Sequence, residues 1–255
     1  MAFLWNLVVS GMRNPLWKAE VLLPGNWRGA TCVLLSDGRR HIVVDTSMSH
    51  EAHQLAQALE ARGLRPTDID AVINTHFHID HVLNNCLFSQ SLIYASQESY
   101  EWCRALYSDL RDEANWERLA LQYYPEMLDY EKARRLMGQL RKLALRWWDA
   151  QRLGDRSQFH WVETQALPEG LQYLITPGHV PGHLSLIVHG AGELTVIAGD
   201  ALLSRDHEEQ VLTMIPHKRD QYSLDHSRIL SLGGRILPGH GLEFSASNFK
   251  RSGEG

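Results

Sequence analysis

The stretch Thr75-His76-Phe77-His78-Ile79-Asp80-His81 places four side chains able to hold a metal within six positions. Imidazole nitrogens and a carboxylate suit zinc, iron or manganese, and residues that alternate along an extended chain point to the same side. His76 and His78 can therefore grip one ion, while Asp80 and His81 face a second. The plain alternative is a histidine-rich surface loop. The preceding residues argue against it, because Ala71-Val72-Ile73 reads as a short buried strand and Asn74-Thr75 carries the chain off its end.

A chain of 255 residues buries on the order of 70 to 75% of the surface its unfolded form exposes, so one sizeable domain, 1–255, suffices. Cys32, Cys86 and Cys103 are odd in number and include no CxxC pair. They suggest neither a disulfide framework nor a zinc ribbon, and a reducing, cytoplasmic setting is expected. A formal charge of -5 does not point to a dedicated nucleic-acid binder. Met1 to Met12 lacks a basic leader and a clear cleavage site, and reads as a first strand or docking segment. No stretch reaches the roughly 20 apolar residues of a membrane span.

Thr31 to Leu35 and His41 to Val44 are β-rich runs joined through Ser36-Asp37-Gly38, a hairpin signal. From Ser49, read as an N-cap, Ala52, Leu55, Ala56 and Leu59 keep helical spacing as far as the stop at Gly63. Ser91 to Ala95 is a further strand. Residues from about 98 to 155 then read as a helical insert carrying Trp102, Trp116, Trp147 and Trp148. Strands return at Leu171–Ile175, His183–His189 and Leu194–Ala198, and a final one, Arg235–Leu237, ends in Pro238-Gly239-His240. Strands at both ends around a helical block predict an α/β or α+β sandwich. Arg251 to Gly255 reads as a frayed tail.

Three more candidate ligands follow strand-like runs through glycine: His179 in Thr-Pro-Gly-His, Asp200 in Ala-Gly-Asp and His240 in Pro-Gly-His. Glycine lets the backbone bend sharply and approach a site closely. In this order, with Val43-Val44-Asp45-Thr46 ahead of them, the motifs resemble those of the metallo-β-lactamase-fold hydrolase superfamily, and the resemblance covers nearly the whole chain. It implies a four-layer αββα sandwich with a helical insertion and with metals at one edge between two sheets. It further implies that His76, His78 and His179 hold one divalent ion and that Asp80, His81 and His240 hold the other. Asp200 would bridge two zinc ions, with iron or manganese as substitutes. A hydroxide between ions about 3.5 to 4 Å apart would be the nucleophile at neutral pH, and Asp80 would steer the proton to the leaving group. Asp45 is read as orienting ligand histidines, with a simple turn aspartate as the alternative. His183 is read as a buried, hydrogen-bonded support. His50, His53, His207, His217 and His226 default to surface or supporting roles.

Fold resemblance does not name a substrate. His78 stands where the diiron oxygen-reducing branch carries an acid, which favours hydrolysis. Asp200 stands where classical β-lactamases place cysteine or serine. Fifteen residues follow His240, so the C-terminal helical domain of glyoxalase II is not expected. Thr-Pro-Gly-His-x-Pro-Gly-His is similar to acyl-homoserine lactonases, yet their tyrosine three residues after the bridging aspartate is Leu203 here, leaving Tyr222 or an aromatic of the insert to replace it. The insert is expected to act as a lid, a pocket wall or a homodimer contact. Lys132, Arg134, Arg135, Arg141, Lys142 and Arg146 form a basic run that fits an anionic substrate or RNA, but also a solvated helix face obeying the helix dipole. The expectation is a binuclear hydrolase of an ester, lactone or thioester in a small-molecule substrate. A phosphodiesterase or ribonuclease and a non-catalytic ligand sensor are the alternatives.

Overall fold

The computed structural model describes residues 15–249 except 27, 113–114, 128 and 206–215. The sequence readings of Met1–Met12, His207 and the tail fall outside the described residues. The chain opens with β1 (Lys18–Leu23), β2 (Cys32–Ser36) and β3 (His41–Val44), followed by α1 (Ala52–Glu60), β4 (Ala71–Ile73), the single-turn α2 (Ile79–Val82) and β5 (Leu92–Ala95). The insert contributes α3 (Gln97–Asp112), α4 (Trp116–Tyr123) and α5 (Tyr130–Trp147). Then come β6 (Phe159–Trp161), β7 (Leu171–Ile175), β8 (Leu184–His189), β9 (Leu194–Gly199), α6 (Arg219–Ser231), β10 (Arg235–Pro238) and β11 (Phe244–Ser245).

Alternation along β2 and β3 sorts their side chains onto two faces. Val33, Leu35, Ile42 and Val44 point inward and meet Leu186, Val188, Ile197 and Leu237 of the second sheet. Leu34 and Val43 point outward and pack with Leu55 and Leu59 of α1. Each such buried aliphatic side chain contributes on the order of 1.5–3 kcal/mol. The first sheet runs β1 to β6 in sequence order, and the second runs β11-β10-β9-β8-β7. Strands β3 to β6 are parallel, as are β9 and β10, while the other pairs are antiparallel. On the far side of the second sheet Ile229 of α6 packs with Val196, Ala198 and Ile236. Helix, sheet, sheet, helix is the expected αββα order.

The expected hairpin forms in the register Leu35↔Ile42 and Ser36↔His41. Asp37 Oδ1 closes it by accepting from the backbone N–H groups of Arg39 and Arg40 at 2.9 and 2.7 Å. Two local expectations are corrected. Ser49 does not cap α1: it begins a 3-10 turn, Ser49–Glu51, and no side chain caps the helix that follows. Arg235–Leu237 is not the last strand, because β11 pairs antiparallel with β10.

The insert breaks into three helices because Asn115 and Asp129 begin new ones, accepting from the N–H groups of Arg118 and Lys132 at 3.1 and 3.0 Å. Leu106, Tyr107, Leu110, Tyr123 and Met137 share a core with Phe77, Ile79, Val82 and Leu83. The insert is thus packed on the segment that carries the first histidine cluster.

Candidate metal centre

Every candidate ligand lies where a strand stops. The end of β4 leads into His76 and His78, α2 presents Asp80 and His81 around one turn, β7 runs toward His179, β9 delivers Asp200 and β10 delivers His240. The structure brings all seven together as two groups with metal-ligand spacing: His76, His78, His179 and Asp200 in one, Asp80, His81 and His240 in the other. Asp200 stands between them. Its Oδ2 is 3.4 Å from His179 Nε2 and 3.9 Å from His76 Nε2, while Oδ1 is 3.2 Å from His81 Nε2 and 3.3 Å from His240 Nε2. Asp80 Oδ2 lies 3.3 Å from His240 Nε2.

The glycine before each late ligand has a steric reason. A Cβ on Gly239 would overlap Asp200 Oδ1, and Gly199 combines a φ of +52° with His183 Nε2 only 2.8 Å from where its Cβ would stand. Both positions exclude a side chain, Gly239 because the ligand Asp200 approaches the backbone so closely and Gly199 because the supporting His183 does.

Behind the ligands, a set of hydrogen bonds fixes their orientation. Asp45 Oδ2 is 2.8 Å from His81 Nδ1 and accepts from the Thr75 hydroxyl at 2.7 Å, while Oδ1 accepts from the Thr75 N–H at 2.8 Å. Asp45 and Ser47 hold φ values of +54° and +60°, uncommon for residues with side chains, so the turn is strained to aim that carboxylate. His240 Nδ1 lies 2.6 Å from the Asn26 carbonyl and donates to it. His183 is a support and not a ligand in this arrangement: Nε2 accepts the Asp200 N–H at 3.0 Å, leaving Nδ1 to donate to the Thr176 hydroxyl at 2.8 Å. Asp225 of α6 accepts the Gly178 N–H at 2.8 Å and steadies the His179 loop.

A buried amide network extends from the Asp45 turn to the insert. Thr46 accepts through its hydroxyl from the Asn84 N–H at 3.3 Å and donates to Asn85 Oδ1 at 2.9 Å, while its own N–H donates to the His81 carbonyl at 2.7 Å. Asn85 Nδ2 donates in turn to Asn74 Oδ1 at 2.8 Å and to the Leu153 carbonyl at 3.1 Å.

The protonation pattern fits a pair of cations. Burial holds His76 and His179 well below the ordinary imidazole range and His78 at about 4, so these rings are neutral, the form that ligates. His76 Nε2 and His179 Nε2 converge on His78 Nδ1 at 3.0 and 2.9 Å. Burial opposes charge on His81 too, but Asp200 and Asp45 outweigh it and raise His81 to about 10; Asp200 and Asp80 likewise raise His240 well above its ordinary value. The carboxylates therefore demand positive charge in front of them. His81 Nε2 and Asp200 Oδ1, both buried, lack a well-formed hydrogen bond. Neutral His76, His78 and His179, carboxylates that draw positive charge, and the buried His81 Nε2 and Asp200 Oδ1 all suit divalent ions.

The groups open onto a cavity of about 790 Å³. Its floor includes His78, Asp80, His179, Asp200 and His240, and an apolar part of its lining is Met48 with Leu136, Leu140, Leu143 and Trp147. Leu136, Leu140, Leu143 and Trp147 recur at helical spacing on one face of α5. Tyr107, Tyr124 and Leu203 also line the cavity, as do Arg28, His50 and Arg146. Tyr222 does not: it is buried away from the cavity. Sequence reasoning missed Arg28 and the part played by His50, whose ring lies 6.2 Å from that of Trp147. It also undervalued His217, which donates its backbone N–H to the His179 carbonyl at 3.0 Å and sets Nδ1 2.9 Å from the Tyr123 carbonyl. Of the insert's tryptophans only Trp147 faces the cavity; Trp102 packs on Tyr123, Trp116 on Tyr130, and Trp148 stacks on Tyr107.

Fold and site together define a metallo-hydrolase, and residues 25–240 match the Metallo-beta-lactamase superfamily, to which the chain belongs. Metallo-beta-lactamase domain-containing protein 1 of Xenopus laevis is 26% identical over 214 residues, 83% of this chain and 71% of that protein. The "Probable metallo-hydrolase YflN" of Bacillus subtilis is 26% identical over 248 residues, covering 85% of this chain and 81% of the relative. Among solved structures, a metallo-β-lactamase family protein from Thermus thermophilus has a TM-score of 0.61 at 19% identity, covering 89% of this chain and 75% of that one. AidC, a dizinc quorum-quenching lactonase solved with a product, has a TM-score of 0.56 at 17% identity, covering 89% of this chain and 85% of its own. No helix among the described residues is long and apolar enough to cross a membrane.

Proposed function

We propose that this protein hydrolyses a carbonyl ester, lactone or thioester in a small molecule, using two divalent ions, zinc foremost. His76, His78 and His179 would hold one ion and Asp80, His81 and His240 the other, with one Asp200 oxygen turned toward each. Two ions so placed polarise a carbonyl and lower the pKa of water toward neutrality. The observation that carries the reading is the pairing of a complete donor set with an apolar wall of leucines across the same cavity. An acyl chain lies against such a wall at a gain of about 0.8 kcal/mol per buried methylene.

The chain's own residues supply the rest. Asp80 is the proton carrier, because its side chain is 26% exposed toward the cavity against 5% for Asp200. Tyr124, lifted above the usual phenol range by burial, keeps its proton and offers a donor from the insert, where Leu203 offers none. Half of the basic run favours a solvated face over an RNA site: Arg134, Arg135 and Lys142 line a separate depression with Glu131, Gly138 and Gln139. The intact donor set speaks against a sensor that has lost turnover.

The test is a hydrolysis panel of metal-loaded protein against lactones, thioesters, simple esters and phosphodiesters, with Asp200→Ala as blank. Turnover of a carbonyl class that the variant abolishes is the expected result. Turnover confined to phosphodiesters, or none in any class, would sink the reading.

A further inference from the structure

Arg28 comes from the loop before β2, whose Asn26 carbonyl holds His240, and Arg146 lies in the last turn of α5. His50 lines the same cavity. The guanidinium of Arg146 lies over the Trp147 ring, 4.7 Å from its centroid, much as Arg40 lies 4.9 Å from that of Trp17. A position near the C-terminus of α5 explains why a cation is tolerated there. It does not explain why this one faces the cavity, since Arg134, Arg135 and Lys142 of the same helix line the other depression. Among the described residues lining the cavity the only acids are Asp80 and Asp200, and both belong to the metal groups. The cavity therefore has three chemical zones: a metal-binding floor, an apolar wall and cations outside the floor. From Leu136 to Trp147 that wall follows eleven residues of helix, roughly 16 Å at 1.5 Å per residue.

We propose that Arg146, stacked on Trp147 with His50 beside the same ring, forms a subsite for the anionic end of the substrate. The substrate class is then an acyl ester, lactone or thioester whose apolar chain ends in, or is joined to, a carboxylate or phosphate group. Planar, two-pronged donation suits arginine to either anion, and the ring beneath restricts the guanidinium before the ligand arrives. This assignment rests on the hydrolase reading for the bond cleaved, but the anion subsite itself can be measured by binding.

Metal-loaded protein is titrated, by tryptophan fluorescence or calorimetry, with straight-chain dicarboxylates of six, eight and ten carbons and with the monocarboxylates of the same lengths. One carboxylate can meet the metals in either series, so the difference within a pair reports the second. The best dicarboxylate should gain over its partner, and Arg146→Gln should reduce that gain roughly three- to tenfold, the range of a partly exposed charged hydrogen bond. Arg135→Gln, on the other depression, should leave the gain as it was. The same three proteins are assayed with nitrophenyl esters of the mono- and dicarboxylic acids, where kcat/KM should follow the same order. A dicarboxylate gain that is absent at every length, or unchanged in Arg146→Gln, or equally reduced in Arg135→Gln, overturns the subsite. Absence of ester hydrolysis alongside an Arg146-dependent gain would reject the hydrolase reading and leave the subsite standing.

Discussion

The two sides of the cavity are held in place by different forces. On the floor, polar atoms are placed one by one: Asp45 against His81 and Thr75, the Asn26 carbonyl against His240, and His183 under the Asp200 N–H. Across from it, the insert is an apolar assembly in which Leu106, Leu110, Tyr123 and Met137 pack on Phe77, Ile79 and Val82. A hydrogen-bonded ligand shell fails when one atom is changed, whereas an apolar wall tolerates swaps that conserve volume. Metal retention and substrate preference in this protein should therefore be separable by mutation.

The harshest challenge to that separation is Asp200→Ala, which removes the oxygens facing both groups. It should cost at least about a hundredfold in metal affinity, beyond the 10–100-fold typical of outer partners, with activity lost in parallel. Elemental analysis after dialysis decides it, and full metal content would reject the bridging assignment. Next is Asp45→Asn, which leaves every proposed ligand in place but replaces the carboxylate at His81 Nδ1 and Thr75. A loss of about 10–100-fold in metal affinity is expected; competition with a chelator reads it, and an unchanged constant would make Asp45 a turn residue only. On the insert side, Leu140→Ala should raise KM for long-chain esters by roughly thirtyfold, from about 2 kcal/mol of lost apolar burial, while metal content stays at the wild-type value. Leu140→Met should restore most of that loss. Coupled loss of metal in Leu140→Ala would show that floor and wall are one unit.

The smallest effect is expected at Asp225. Burial raises its carboxyl above the ordinary range despite the Gly178 N–H and Gln221. A raised folded-state value means that its contribution is full below the unfolded carboxylate pKa and is lost as pH rises through the folded one. Asp225→Asn should therefore gain stability relative to wild type as pH rises from about 4. Urea unfolding across that range checks this, and parallel profiles for the two proteins would contradict it.

What could be read from the sequence was what is local. Two histidines and an Asp-His pair on a strand end need no tertiary information, and the later ligands each announce themselves by a strand and a glycine. β1 escaped notice because it is an edge strand whose Lys18 and Glu20 keep contact with water and pair with each other. α6 escaped because it buries only Tyr222, Asp225 and Ile229, one of them charged, so it has no apolar stripe to read. The insert as a pocket wall was legible, but which of its residues face the cavity was not. His50 and Trp147 meet across nearly a hundred positions of chain, and nothing near either residue signals the other. The same holds for His217, whose role depends on the Tyr123 carbonyl from the insert.

Asn85 pairs with Asn74 and serves two further clients. One is the Leu153 carbonyl, where the insert returns to the sheet, and the other is Thr46, which sits beside the strained Asp45 turn and holds the His81 backbone. Displacing the insert at Leu153 would strip a buried amide of one acceptor, a loss of about 1–3 kcal/mol, and Asn85 could recover it only by turning away from Thr46. Occupancy above the wall and occupancy of the metal groups then belong to a single thermodynamic cycle. If the seating of the insert at Leu153 changes metal affinity, loading the metals changes that seating by the same factor.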